Sequence, residues 1–468
     1  MSKDFYDRTD ELTFLSEQYT RGSAEMIVIY GRRRVGKTEL IKEFMASINA
    51  RKLYFYVDLS GKSELLNSLS DAVREQLKES ERFGDFESFF SYLSQKSDEG
   101  KFLLVIDEFQ RFLDVAPEFI TKLQHRWDSE LKKKKLMILL VGSSIGMINK
   151  ITESRAGSLY GRVSRFKISP FRYVDFRLMF NDAEEAEKII RYAVFGGTPY
   201  YLSKTKGIKD TLQAISDLLL KKGGELVEEP RNLLEYENVR VYAKYNSILH
   251  SIASGKERLK EMQDFTSLTS TVMPAYITRL DHLLDLVGKQ DPMLGKERLG
   301  KYVIRDNFFK FWYRFIFPNQ TALNLGNTKI VFDAIKDNLN SYVGKIFEDI
   351  ARELLTLYIN KEIKSVKMDF ENIGAWWDRN GNEIDIVAYN HKAKRILVGE
   401  VKWTNNPADT PLLEELMMKS RLINFSGTYQ YILISKNGFT ERCIKRMEEL
   451  KVLYLNLQDM ETLFDNAG

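Results

Sequence analysis

Two groups of residues have the types and spacing to do chemistry. The first is Gly31-Arg32-Arg33-Arg34-Val35-Gly36-Lys37-Thr38. A glycine, four variable positions, then Gly-Lys-Thr is the pattern of a loop that wraps phosphates. The glycines let the backbone turn its N–H groups toward an anion. Lys37 would reach the β- and γ-phosphates of ATP, Thr38 would put its hydroxyl on magnesium, and Glu39 opens the helix that follows. A second acidic point is needed, and Phe102-Leu103-Leu104-Val105-Ile106-Asp107-Glu108 supplies it. Asp107 fits the magnesium-side carboxylate and Glu108 the base that orients an attacking water, so hydrolysis is expected as well as binding. Ser143, in Gly142-Ser143-Ser144, stands where a polar side chain could sense the γ-phosphate, with a simple turn as the competing reading. Arg155 and Arg162 follow. Either could contact the γ-phosphate from the same or a neighbouring subunit of a homo-oligomer, with Arg162 preferred; a solvated surface arginine is the plainer alternative. Arg32, Arg33 and Arg34 would face a partner or solvent.

The second group is Glu348, Asp385, Glu400 and Lys402. Gly381–Tyr389 and Arg395–Trp403 read as strands joined by a turn at Asn390–Lys394. Alternate residues of a strand share a face, so Glu400 and Lys402 point the same way. Closure of the hairpin at that turn brings Asp385 opposite Glu400. Two carboxylates there could hold magnesium against a scissile phosphate, and Lys402 could steady the developing charge. A surface salt-bridge cluster is the plain alternative. Glu383 reads as a solvated or supporting carboxylate, and Trp403 as packing.

The elements that must position these residues are legible as patterns. Met26–Tyr30, Leu53–Val57, Phe102–Ile106 and Leu136–Val141 are short apolar runs separated by amphipathic stretches, which predicts buried parallel strands with crossover helices. Helical patterns over Val241–Ala253, Glu257–Met262 and Pro274–Leu284 precede Leu286-Val287 and Tyr302–Ile304. Three helices and a two-stranded wing predict a winged helix, with Lys289, Lys296, Arg298 and Lys301 on or near the wing. Phe308, Phe311, Trp312 and Phe315 recur at helical spacing and read as core rather than as a base-stacking platform. From Ser341 the pattern is helix, strand, strand, helix, strand.

The stretch from Phe5 to Leu202 resembles the archaeal-type ATPase family within the AAA+/STAND-like P-loop proteins. Tyr6-Asp7-Arg8-Thr9-Asp10-Glu11-Leu12, the phosphate loop, the strand ending Asp107-Glu108, Leu140–Ser144 and Gly196-Gly197-Thr198-Pro199-Tyr200-Tyr201-Leu202 carry it. The resemblance implies that Gly197 and Pro199 touch the adenine, and that a winged helix in such proteins can serve as a lid as readily as a DNA reader. The Asp385, Glu400-x-Lys402 arrangement resembles the PD-(D/E)xK nuclease superfamily, although Ile384 stands where that motif has an optional proline. That resemblance implies a further ligand from Glu348.

The fold class expected is α/β: a P-loop parallel sheet with helices, then a helical winged-helix module, then a small α/β restriction-endonuclease-like domain. The segments are 1–205 for the ATPase core, 206–234 for a lid or linker, 235–306 for the winged helix, 307–340 for linker helices and 341–468 for the nuclease-like domain. A hydrophobic content of 44% with 29% charged residues is the balance of a soluble globular protein. One cysteine, Cys443, excludes an intramolecular disulfide, and it and four scattered histidines offer no zinc spacing. No apolar run approaches a membrane span and no signal peptide is visible, so a cytoplasmic protein with no membrane partner is expected. A formal net charge of +4 permits a nucleic-acid partner, DNA before RNA, without requiring one. The expected function is ATP hydrolysis coupled to metal-dependent cleavage of DNA or RNA. The alternative is a regulatory ATPase switch whose C-terminal domain only binds. A P-loop kinase fits less well, given the Asp107-Glu108 pair and the long accessory region.

Overall fold

The computed structural model describes residues 5–153, 157–236, 242–295 and 297–467. Arg155, Val241 and Lys296 lie outside them. The chain forms two compact units: one gathers the chain up to Pro170 with Thr198–Tyr200 and Thr278–Asp285, and the other holds Phe171–Gly197, Tyr201–Ile277 and Leu286 onward.

In the first unit, β1 (Glu25–Tyr30), β2 (Arg51–Tyr56), β3 (Phe102–Asp107), β4 (Leu136–Gly142) and β5 (Ser164–Lys167) form a five-stranded sheet ordered β2-β3-β4-β1-β5. All four pairings are parallel. Every residue of β3 and β4 is buried, because helices cover both faces, whereas the edge strands β2 and β5 are only partly covered. Alternation along the strands sends Val28, Leu104, Ile106 and Leu140 to one face, where Leu65, Phe86, Phe89 and Leu123 meet them. Ile27, Ile29, Val105 and Val141 go to the other, against Leu40, Ile41 and Phe44 of the helix Lys37–Ser47. Because the strands run parallel, Gly31, Asp107 and Ser143 all emerge at their carboxyl ends, where open α/β sheets bind ligands.

The second unit contains the helices Tyr242–Ala253 and Leu259–Thr266 and an antiparallel pair of strands, β6 (Val287–Gln290) and β7 (Lys301–Ile304), which the helix Met273–Thr278 precedes in the chain. This strand pair lies against the C-terminal module of the same unit. Trp377 Nε1 donates to Leu299 O at 2.7 Å, Met293 N donates to Ala375 O at 2.8 Å, and Lys301 pairs with Glu383. Lys289 pairs with Asp291 at 2.9 Å. Lys301 is thus engaged inside the unit rather than held out for a phosphate backbone. Phe308, Phe311, Trp312 and Phe315 are buried, as their helical spacing predicts.

A helix from Thr328 to Leu357, longer at its start than the pattern from Ser341 suggests, leads through β8 (Glu362–Ile363) and β9 (Val366–Lys367) into the C-terminal sheet. There β10 (Asn372–Trp377), β11 (Glu383–Asn390) and β12 (Arg395–Lys402) form an antiparallel meander. β13 (Thr428–Ser435) and β14 (Leu453–Asn456) then add in parallel after the helices Thr410–Ser420 and Glu441–Glu449. The sheet order is β10-β11-β12-β13-β14, and Val387, Val398, Leu413, Leu416 and Leu433 form one of its cores. β10 escapes a simple period-2 reading because its register shifts between Gly374 and Trp376. No helix among the described residues is long and apolar enough to cross a membrane.

Candidate functional site

The loop Gly31–Thr38 leaves β1 and turns into the helix Lys37–Ser47, with Gly36 at φ 91°, a conformation glycine adopts without strain. A Cβ on Gly31 would lie 2.1 Å from Ile168 O, so only glycine lets these two backbones approach. Lys37 is folded back over the loop: its ammonium donates to Gly31 O at 2.9 Å and Arg32 O at 2.8 Å. It is buried at 7% exposure, which centres a positive charge among the loop amides. Arg8 braces the loop from outside, donating to Val35 O at 3.0 Å and Ser169 O at 2.8 Å.

The acids converge as the strand ends require. Thr38 Oγ1 donates to Asp107 Oδ2 at 3.1 Å. The Tyr54 hydroxyl donates to the same oxygen at 2.6 Å, and Glu108 N donates to Asp107 Oδ1 at 2.8 Å. Burial, followed by the bond to Asp107, holds the Tyr54 phenol above its ordinary value. Ser143 Oγ donates to both Glu108 carboxylate oxygens, at 3.1 and 3.0 Å, and Gln110 Nε2 donates to Glu108 Oε2 at 2.6 Å. Sequence reasoning missed Tyr54 and Gln110. Tyr54 sits within an apolar strand pattern, and only the β2–β3 register Tyr56↔Asp107 brings it beside the aspartate.

Other expected site residues stand differently. The Arg162 guanidinium is held by Asp128, with NH2 2.7 Å and Nε 3.0 Å from the carboxylate, a charge-assisted fork. Arg32 is buried rather than facing solvent, and Arg34, half-buried, stacks on Tyr200 with its guanidinium carbon 4.0 Å from the ring centroid. The Glu39 side chain is exposed and paired with Lys42 at 2.7 Å, which leaves its backbone N–H as the part available to a ligand. Pro199 lies beside the loop, its Cγ 3.7 Å from a Cβ built on Gly36. Gly197 is explained otherwise. A Cβ there would lie 1.9 Å from Phe171 O, and Phe171 N donates to Gly197 O at 2.8 Å, so backbone pairing already demands the glycine.

The second cluster lies in the C-terminal module. The hairpin closes with Asn390↔Arg395 and runs to Ile386↔Gly399, a register that sets Asp385 opposite Glu400. Asp385 Oδ2 accepts from Val401 N at 2.9 Å, and Lys402 Nζ donates to Glu400 Oε1 at 2.7 Å. Both carboxylates are buried, at 9% and 7% exposure. Glu400 Oε2 is buried with no hydrogen-bond partner among the described residues. An unpaired carboxylate oxygen is costly in such a place. Glu348, on the helix Thr328–Leu357, pairs with Lys345 at 3.2 Å. Burial and then the Asp385 charge push Glu348 up to about 7, and the same two causes raise Glu400. Among the described residues no three His, Cys, Asp or Glu side chains are gathered closely enough to hold a metal ion, so Glu348, Asp385 and Glu400 share a field without forming a closed cage. Glu383, the supporting carboxylate, is taken by Lys301 and lies 3.7 Å from Lys345. Trp403 packs on Phe347, with ring centroids 5.0 Å apart.

An ATPase domain found predominantly in Archaea matches residues 5–205, and a domain of archaeal and bacterial proteins of unknown function matches 312–415. An uncharacterized protein of Methanocaldococcus jannaschii is 31% identical over 442 residues, covering 92% of this chain and 95% of the relative. An uncharacterized ATP-binding protein of the same organism is 51% identical over 41 residues, 9% of this chain and 70% of that protein. Among solved structures, a Walker-type ATPase of Pyrococcus abyssi is similar with a TM-score of 0.52 at 19% identity, over 67% of this chain and 97% of that one. The ORC2 protein of Aeropyrum pernix in its ADPNP–ADP complexes gives a TM-score of 0.44 at 13% identity, over 72% and 96% of the two chains.

Proposed function

We propose, from the premise that this chain belongs to the predominantly archaeal ATPase family, that it hydrolyses ATP at its phosphate loop and couples nucleotide state to metal-dependent cleavage of nucleic acid, DNA in the first instance, at the Asp385 cluster. The donor set of the loop suits ATP: backbone amides at a helix N-terminus, a buried ammonium, and a hydroxyl bonded to an acid. Thr38 and Asp107 would hold magnesium there. Asp385 and Glu400 would hold it in the C-terminal module, where the partnerless Glu400 oxygen suits a cation and Glu348 is a third carboxylate within the same field. Bound magnesium neutralises phosphate charge, polarises the phosphoryl oxygen and lowers the pKa of its water.

The chain's own residues do the rest. Lys37 exchanges the Gly31 and Arg32 carbonyls for β- and γ-phosphate oxygens. Glu108 receives the proton of the attacking water as that water's oxygen bonds to the γ-phosphorus and the bond to the β-γ bridging oxygen breaks. Ser143, now bonded to Glu108, is within the group that would meet the γ-phosphate. In the second site Lys402 steadies charge on the phosphate that Asp385 and Glu400 face.

One observation carries the cleavage half: Asp385 and Glu400 oppose each other across two hydrogen-bonded strands with Lys402 on the same face. The second reading is a regulatory ATPase whose C-terminal module binds without cutting, with Lys402 and Glu400 serving as a partly buried ion pair. The deciding experiment incubates labelled single-stranded, duplex and branched DNA, and RNA, with magnesium or manganese. Wild type runs beside Asp385→Ala and Lys37→Ala, with and without ATP. Metal-dependent cutting lost in Asp385→Ala is expected. ATP hydrolysis with no cutting of any substrate would favour the binding-only switch.

A further inference from the structure

We propose that Tyr54 is a positioning residue of the nucleotide site, acting through Asp107 on magnesium-dependent ATP binding. The inference rests on the ATPase reading and adds a residue that neither motif spacing nor the loop itself singles out.

Three observations converge. The Tyr54 hydroxyl donates to Asp107 Oδ2 at 2.6 Å, closer than the 3.1 Å contact that Thr38 makes to the same oxygen. With Glu108 N on Oδ1, the carboxylate is held by three donors from three elements, so its plane is set before any ligand arrives. The β2–β3 register pairs Tyr56 with Asp107, so Tyr54, two residues back on the same face, reaches the acid diagonally. Finally, Tyr54 is itself fixed. On the outer edge of the sheet its backbone would lack strand partners, but Gln76 of the helix Lys62–Leu77 supplies both: its Oε1 accepts from Tyr54 N and its Nε2 donates to Tyr54 O, each at 2.8 Å. A phenol remains a donor throughout the neutral range, so the contact constrains Asp107 without competing for its charge.

Losing one hydrogen bond to a charged acceptor should cost the cation about tenfold in effective affinity, which is about 1.4 kcal/mol. The test titrates the full chain with ATP by calorimetry, in EDTA and in excess magnesium, for wild type, Tyr54→Phe and Tyr54→Gln. Wild type should bind more tightly with magnesium. Tyr54→Phe should lose about tenfold of that gain and keep its affinity in EDTA. Tyr54→Gln, which retains a donor, should recover part of the gain. Independently of either variant, 3-fluorotyrosine at position 54 should show a fluorine shift on adding magnesium to the ATP-bound protein. A gain unchanged in Tyr54→Phe, an equal loss in EDTA and magnesium, or a silent fluorine resonance would each overturn the role of Tyr54. Wild type with no magnesium-dependent gain at all would overturn the nucleotide-site reading beneath it.

Discussion

Gly197→Ala separates two explanations of one glycine. The resemblance implies that Gly197 touches the adenine, whereas the structure spends it on Phe171. The new Cβ would stand 1.9 Å from Phe171 O, 2.8 Å from Phe171 C and 2.9 Å from Phe171 N. All three are backbone atoms, so no side chain can rotate aside. Relief requires a shift of about 1 Å, because a Cβ essentially never comes within 3.0 Å of a heavy atom to which it is not bonded. The shift strains the Phe171 N to Gly197 O bond, now 2.8 Å, at a buried position. Overpacking costs about 1–3 kcal/mol and an orphaned buried polar group about 1–3 kcal/mol. The sum is about 2–6 kcal/mol, or a fall in melting temperature of roughly 4–24 °C at about 2–4 °C per kcal/mol. Differential scanning calorimetry reads the loss, and ATP titration below the transition reads the site. The expected result is a strongly destabilised protein whose folded fraction binds ATP within about threefold of wild type. A variant that melts with wild type and binds ATP poorly would refute the steric argument and restore the glycine to the adenine.

Three further outcomes follow from the geometry. Glu108→Gln should lower ATP turnover by about a hundredfold or more while keeping ATP affinity, since a base is lost but Ser143 and Gln110 still have a partner; phosphate release assays beside binding titrations would check this. Arg162→Ala should leave turnover within about threefold and cost at most about 1 kcal/mol of stability, because its partner is Asp128 near the surface; a collapse of turnover would mean that the arginine swings to the phosphate after all. His250 packs between Phe265 and Phe317, and burial first, then Arg314, lowers its pKa. A base with a depressed folded pKa contributes stability above its unfolded value of about 6.5 and loses it as pH falls through the folded value. Urea midpoints of wild type should therefore drop more than those of His250→Gln between about pH 7.5 and 5.5, and parallel profiles would contradict the assignment.

Much of the nucleotide site was legible because its requirements are local. A phosphate loop needs glycines, a lysine and a hydroxyl within one turn of chain, and the partner acid must end an apolar strand, so Gly31–Thr38 and Asp107-Glu108 stand out in one dimension. The parallel sheet was legible for the same reason: buried strands are continuous apolar runs, and β3 and β4 have no exposed residue. The Asp385–Glu400 opposition followed from one hairpin and its turn. Resemblance assigned Gly197 to the base, and spacing left Arg162 as a candidate finger; neither could reveal Phe171 or Asp128, which are remote in sequence.

By itself, then, the amino-acid sequence determined the phosphate loop, its acids, the parallel strand runs and the hairpin that opposes Asp385 to Glu400, since each is a short-range pattern with one physical solution. Only the tertiary structure decided which side chains hold those residues in place: Tyr54 on Asp107, Ser143 on Glu108, Asp128 on Arg162, and Lys301 of β7 on Glu383. Those contacts join residues from separate elements, and a hydrogen bond or ion pair acts over about 3 Å of space however many residues of chain lie between its partners.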